Sequence, residues 1–137
     1  MKKKGFVFIV TCLLACPLFS QHLIGLGKEQ LITAMEKYYP SFDIDNSSVN
    51  NTYKYLKYID KFREQTMLVF LSENDKCTAT KLMSDYSNLA QVKDKLNKTY
   101  KLYGKDKWVY KINGITYLIT LKREDWFFSV FTSKKEK

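Results

Sequence analysis

The stretch KWVYKINGITYLITL, Lys107 to Leu121, decides how this chain is read. Trp108, Tyr110 and Ile112 alternate with Lys107, Val109 and Lys111, the period-two pattern of a strand with one buried face. Asn113-Gly114 follows at once, and Ile115, Tyr117, Ile119 and Leu121 resume the alternation. A two-residue hairpin turn needs positive φ at both central positions, which Asn and Gly tolerate best. Asn-Gly between two alternating runs therefore predicts a tight β-hairpin. After Lys122-Arg123-Glu124-Asp125 comes WFFSVFT, in which Trp126, Phe128 and Val130 alternate with Phe127, Ser129 and Phe131. Three strands joined by short polar turns predict an antiparallel meander.

Toward the N terminus the apolar period lengthens. In SNLAQVKDKLNKTY, Leu89, Val92, Leu96 and Tyr100 form one stripe against a lysine-rich side, with Ser87 or Asn88 in the capping position. In KEQLITAMEKYYP, Leu31, Met35 and Tyr39 form a second stripe. Glu29 suits the positive end of that helix, and Pro40 stops it. Between the helices, YKYLKYI, TMLVFLS and KCTATKLM read as strands separated by charged turns. Residues 28–84 and 87–132 thus share the order helix, strand, strand, strand. A shift of 61 positions lays Leu31, Met35 and Tyr39 on Val92, Leu96 and Tyr100. A shift of 53 lays Tyr55 and Ile59 on Trp108 and Ile112, with the loop PSFDIDNSSVNN absorbing the difference. The expectation is an α+β domain in which two helix-plus-three-strand units form one antiparallel sheet with both helices on one face.

The opening MKKKGFVFIVTCLLACPLFSQ has the parts of a secretory signal: Lys2, Lys3 and Lys4, an apolar run from Gly5 to Ala15, then Pro17 before the small Ser20. The apolar run falls well short of the ~20 residues that span a bilayer. Cleavage after Ser20 predicts an exported, soluble periplasmic or extracellular domain, residues 21–137. The alternative is a lipoprotein signal, residues 1–15, with Leu13 and Ala15 preceding a lipidated Cys16 that tethers the protein. Loss of the three leading lysines lowers the net charge from +9 to +6. The remaining excess is almost all Lys, with only Arg63 and Arg123 as Arg, and it is scattered along the chain. That pattern argues against nucleic acid and leaves room for weak association with anionic envelope polymers or lipids. Cys77 stands alone outside the leader and reads as a small buried residue.

The repeated helix-then-meander order from Lys28 to Thr132 resembles the small exported domains described as β-lactamase-inhibitor-protein-like or PepSY-like. That resemblance rests on element order, without a residue motif. It implies a non-catalytic domain that holds a protein partner on its sheet. A cone-shaped nuclear-transport-factor-like fold is the alternative, but its usual run of helices before the sheet is missing.

Catalytic inventory is thin. The single histidine, His22, reads as a loose terminal residue, which leaves no His-based triad and no Cys-His pair. A zinc site of His and Cys has no basis, and no cofactor is implied. DIDNSS, Asp43 to Ser48, begins like a calcium loop but places Ser48 and Lys54 where Gly and a bidentate acid belong. A small hydrolase using two carboxylates is the remaining enzyme reading. The informative excess is aromatic: 10 Tyr, 2 Trp and most of the 9 Phe lie outside the leader. With helices on one face, some of Tyr53, Tyr55, Tyr58, Tyr110, Phe127 and Phe131 belong to the other, where aromatic side chains give contact area at low entropic cost. These six are the candidate partner-binding residues. The expectation is a non-enzymatic binding or inhibitor-like domain, with an envelope immunity or stress protein as the alternative.

Overall fold

Asn113 and Gly114 adopt φ of 49° and 78°, and the turn they form sets Ile112 directly opposite Ile115. The hairpin belongs to a computed structural model that describes residues 22–46 and 54–137. Its elements are α1 (Lys28–Tyr38), β1 (Asp43–Ile44), β2 (Tyr55–Asp60), β3 (Gln65–Leu71), β4 (Cys77–Ser84), α2 (Leu89–Thr99), β5 (Lys101–Gly104), β6 (Lys107–Ile112), β7 (Ile115–Arg123) and β8 (Phe128–Lys134). The strands form one antiparallel sheet of eight in the order β1-β2-β3-β4-β8-β7-β6-β5. The fold is α+β, with one sheet and two helices among the described residues. Two strands exceed the six expected: β1 and β5 are short, polar or solvent-exposed pieces at the two edges, without the alternation that marks the longer strands.

Both helices form where the apolar stripes lie. The N–H of Gly27, at the start of α1, donates to Gln30 Oε1 at 3.0 Å, satisfying one of the amides that a helix start leaves open. Ahead of α2, residues 86–88 form a 3-10 turn that Asp85 caps by accepting from the Ser87 N–H at 2.7 Å, so neither Ser87 nor Asn88 supplies the side-chain cap. The amide of Asn88 instead bonds Ser84 Oγ at 3.0 Å and the Arg63 carbonyl at 2.7 Å. Leu31, Ala34 and Met35 of α1 and Val92 and Leu96 of α2 share one core cluster with Leu56, Met67, Val69, Leu82, Trp108, Ile119 and Val130 of the strands. Trp108 is 0% exposed, and its indole N–H donates to Asn97 Oδ1 of α2 at 2.9 Å.

Register divides the sheet into a core face and an outer face. Leu56, Val69 and Thr80 share a row, as do Tyr58, Met67, Leu82, Val130 and Leu121. Side chains on these rows meet the core, and the residues between them point outward. At one end of the core face, Asp60 Oδ1 accepts from the N–H groups of Phe62 and Arg63, which closes the β2–β3 turn. Beside it, Gln65 donates to Ser84 Oγ at 3.1 Å. These bonds matter because an unmade hydrogen bond at a buried group costs more than a made one contributes.

Asp106, in the β5–β6 turn, ties three elements together through Lys93 of α2 at 3.1 Å and Arg123 of β7. Desolvation pushes its pKa up, but hydrogen bonds from Arg123 and Lys93 outweigh that and hold it below the usual carboxylate value. A depressed folded-state pKa contributes stability that is present above the unfolded value, about 3.9, and is lost as pH falls through the folded one. Denaturant unfolding of Asp106→Asn should therefore give a flatter stability profile below about pH 4 than the native chain. In the same assay, Trp108→Ala should cost about 3–5 kcal/mol, since it removes a fully buried ring.

Candidate interaction surface

The outer face begins at the end of the sheet where β2 starts. Tyr55 pairs with Phe70, and Phe70 with Ala79. The rings of Tyr55 and Phe70 lie 6.2 Å apart edge-on, and Phe131 of β8 lies 6.5 Å beyond Phe70. A β-bulge after Phe70 leaves Thr78 unpaired, so the small residues Thr78 and Ala79 sit side by side on this face. The result is an open recess of about 490 Å³ between Phe70, Leu71, Thr78, Ala79 and Phe131, with Lys54 and Glu73 at its rim. A second recess of about 290 Å³ lies at the opposite end of the face, between Thr66, Met83, Trp126 and Phe127, with the carboxylates Glu64 and Asp85 also lining it. Leu68 and Lys81 lie between the two, on one outward row.

Sequence-predicted residues separate cleanly. Tyr55, Phe127 and Phe131 lie on the outer face, and Phe131 is 39% exposed. Tyr58 does not: it is 4% exposed on the core face, opposite Met67, because alternation from Tyr55 takes it inward. Tyr110 is also on the core side, packed between Tyr100 at 5.0 Å and Tyr117 at 5.1 Å, and burial pushes its hydroxyl pKa up. Tyr53 and Cys16 lie outside the described residues, as does the leader with both cleavage points.

His22 is not the loose terminal residue expected. Its Nδ1 lies 2.9 Å from the Tyr110 hydroxyl, and its ring packs edge-on to Tyr117 at 4.4 Å. Leu23 beside it is buried, and the Gly25 N–H donates to the Cys77 carbonyl at 2.8 Å, so residues 22–27 are part of the fold. Desolvation lowers the His22 pKa and favours the neutral imidazole. Cys77 is buried as expected, and burial pushes its thiol up to about 11, so the unreactive protonated form dominates at neutral pH.

Sequence reasoning missed Phe70, Leu68 and Met83, because TMLVFLS and KLM are apolar on both faces and do not reveal which side is out. Alternation in WFFSVFT also predicts a strand that includes Trp126, and here the structure differs. The Glu124 N–H donates to the Phe127 carbonyl at 2.8 Å, which closes a turn and delays the strand to Phe128. Trp126 stands at the tip of that turn, 87% exposed, and Phe62 occupies the β2–β3 turn at the same end of the sheet, 95% exposed.

On the core side, a cavity of about 70 Å³ lies between Tyr39, Tyr100, Tyr110, Thr80 and Thr132. That is small beside the ~300–1,000 Å³ of ligand pockets, and no carboxylate, thiol or imidazole lines it. Among the described residues, no group of three or more His, Cys, Asp and Glu is placed to hold a metal ion. Nor is any described helix long and apolar enough to cross a membrane. No family model, curated protein or solved structure matches the chain. What the outer face offers chemically is contact: aromatic rings around a concave surface, with cations beside them.

Thermal unfolding separates the two groups of aromatic residues. Phe131→Ser and Tyr55→Ser, on the outer face, should change stability by less than about 1 kcal/mol, whereas Tyr58→Ser should cost about 3 kcal/mol. The Tyr58 hydroxyl has no hydrogen-bond partner among the described residues, so Tyr58→Phe should be neutral or stabilising by up to about 1 kcal/mol.

Proposed function

We propose that this chain is an exported, non-enzymatic binding or inhibitor-like domain that holds a protein partner on the outer face of its sheet. The observation that carries the reading is the aromatic row Tyr55, Phe70 and Phe131 around a recess on a face that needs none of these rings for the core. Aromatic side chains at a concave surface are the usual anchors of protein recognition.

In this reading the domain consists of two helix-plus-meander units, β1 to β4 following α1 and β5 to β8 following α2. A strand order in which both groups run from an edge to the β4–β8 contact supports that arrangement. Both helices then cover the core face, a placement supported by the single cluster that takes residues from each. The arrangement is in keeping with a β-lactamase-inhibitor-protein-like or PepSY-like domain. Export rests on the basic and apolar leader. Cleavage after Ser20 frees the domain, and acylation at Cys16 tethers it.

Two measurements test the proposal. Intact mass of the protein from a fractionated cell should give a chain starting at Gln21 in the soluble envelope fraction, or a lipid-modified Cys16 in the membrane fraction. A full-length chain retained in the cytoplasm overturns export. Crosslinking in the native envelope should yield a defined protein adduct that weakens at least tenfold with Tyr55→Ser plus Phe131→Ser. An adduct indifferent to that double change removes the sheet face from the reading.

A further inference from the structure

From β2 to β8 the outer face carries charge of one sign, and Asp43 of the edge strand β1, opposite Ile59, stands at its margin. Within strands β2 to β8 the only carboxylate is Asp60, and it is buried on the core face. Lys57, Lys81, Lys101, Lys107, Lys111 and Lys122 all fall on the outward rows of the same strands. Lys57 is met by Asp45 at 3.3 Å and Lys122 by Glu124 at 3.4 Å. Among the described residues Lys81, Lys101, Lys107 and Lys111 pair with no carboxylate. One row shows how the charges and rings interleave: Lys57, Leu68, Lys81, Phe131, Thr120 and Lys107 follow one another across six neighbouring strands. At ~4.8 Å between strands, Lys81 sits beside Phe131, and Lys57 and Lys107 stand ~10 and ~14 Å from Lys81.

We propose that the partner on this face is an acidic protein surface whose carboxylates meet Lys81, Lys107 and Lys111 around an apolar side chain seated between Phe70 and Phe131. The inference rests on the sheet-face reading above and adds the chemistry of the partner. A set of cations with few local counter-charges repels itself and is relieved by a surface of opposite sign. The recess decides among anionic partners. A volume of about 490 Å³ walled by Phe70, Leu71, Ala79 and Phe131 takes a leucine- or phenylalanine-sized side chain. A phosphate or sulfate polymer has no such group, and a flat lipid surface cannot enter a concave one. The recess beside Phe131 is the apolar anchor for such a partner, since the one at the opposite end of the face carries the carboxylates Glu64 and Asp85.

Selection from a random library tests this chemistry. Phage-displayed random dodecapeptides are selected on the chain without its leader, and the enriched peptides are synthesised for titration. Enriched sequences should be net negative and contain at least one large apolar residue. Their binding should weaken about tenfold between about 50 and 500 mM salt. It should fall about tenfold or more in Lys81→Glu plus Lys107→Glu, less in the corresponding Gln pair, and also in Phe131→Ser. Each variant is checked for native circular dichroism and melting. Peptides that depend on Phe131 but are neutral or basic overturn the acidic chemistry and leave the sheet-face reading standing. Peptides indifferent to Phe131, or a selection with no enrichment, overturn both. Dextran sulfate or phosphatidylglycerol vesicles that bind as tightly as the peptides, and do so in Phe131→Ser, overturn the proposal in favour of a polyanion or lipid surface.

Discussion

The pairing of β4 with β8 is the constraint on which the rest of the structure depends. Leu82 faces Met67 on one side and Val130 on the other, so the strands from residues 43–84 and those from 101–134 meet in one continuous ladder. Without that seam the eight strands would fall into two sheets of four. With it, Leu31 and Met35 pack in the same cluster as Leu96 and Trp108. A chain of this size keeps a stable core only by pooling the apolar surface of all its elements. The hydrogen bond from Trp108 to Asn97 and the bridging of Lys93 and Arg123 by Asp106 then hold α2 in place at the edge of that core.

Because the ladder alternates, building one face of the core determines the other face as well. Every inward residue on β2, β3, β4 and β8 obliges its neighbours to point out. Those neighbours are Tyr55, Leu68, Phe70, Met83 and Phe131, interleaved with Lys57 and Lys81. Lysines at these positions keep an apolar face compatible with water, since their ammonium groups stay solvated. The bulge at Thr78 and the small Ala79 remove bulk beside Phe70 and Phe131, and so turn a row of rings into a concavity.

Much of the fold was legible because local signals agreed with one another. Asn113-Gly114 lay between two alternating runs, and the leucine and methionine stripes had the helical period. Both survive in the structure with boundaries at Lys28–Tyr38 and Ile112–Ile115. Legibility failed where a run was apolar on both sides. WFFSVFT could not reveal that its first residues turn back through the Glu124–Phe127 hydrogen bond, leaving Trp126 in solvent. Tyr58 and Tyr110 were indistinguishable from Tyr55 by composition, and only their register against Met67 and Tyr117 sends them inward. His22 carried no signal at all, since its position follows from the burial of its neighbour Leu23.

Sequence by itself determined the two helices, the six longer strands, their order and the lysine excess, because period, turn chemistry and charge are properties of short stretches. It also determined that aromatic side chains exceed what a small core absorbs. Tertiary structure alone decided which of those rings face water and which lysines stand beside them. The reason is that a strand's face is set by register with its neighbours. The register of β4 against β8 joins Ala79 to Ser133 and Ser84 to Phe128, residues that no local pattern connects.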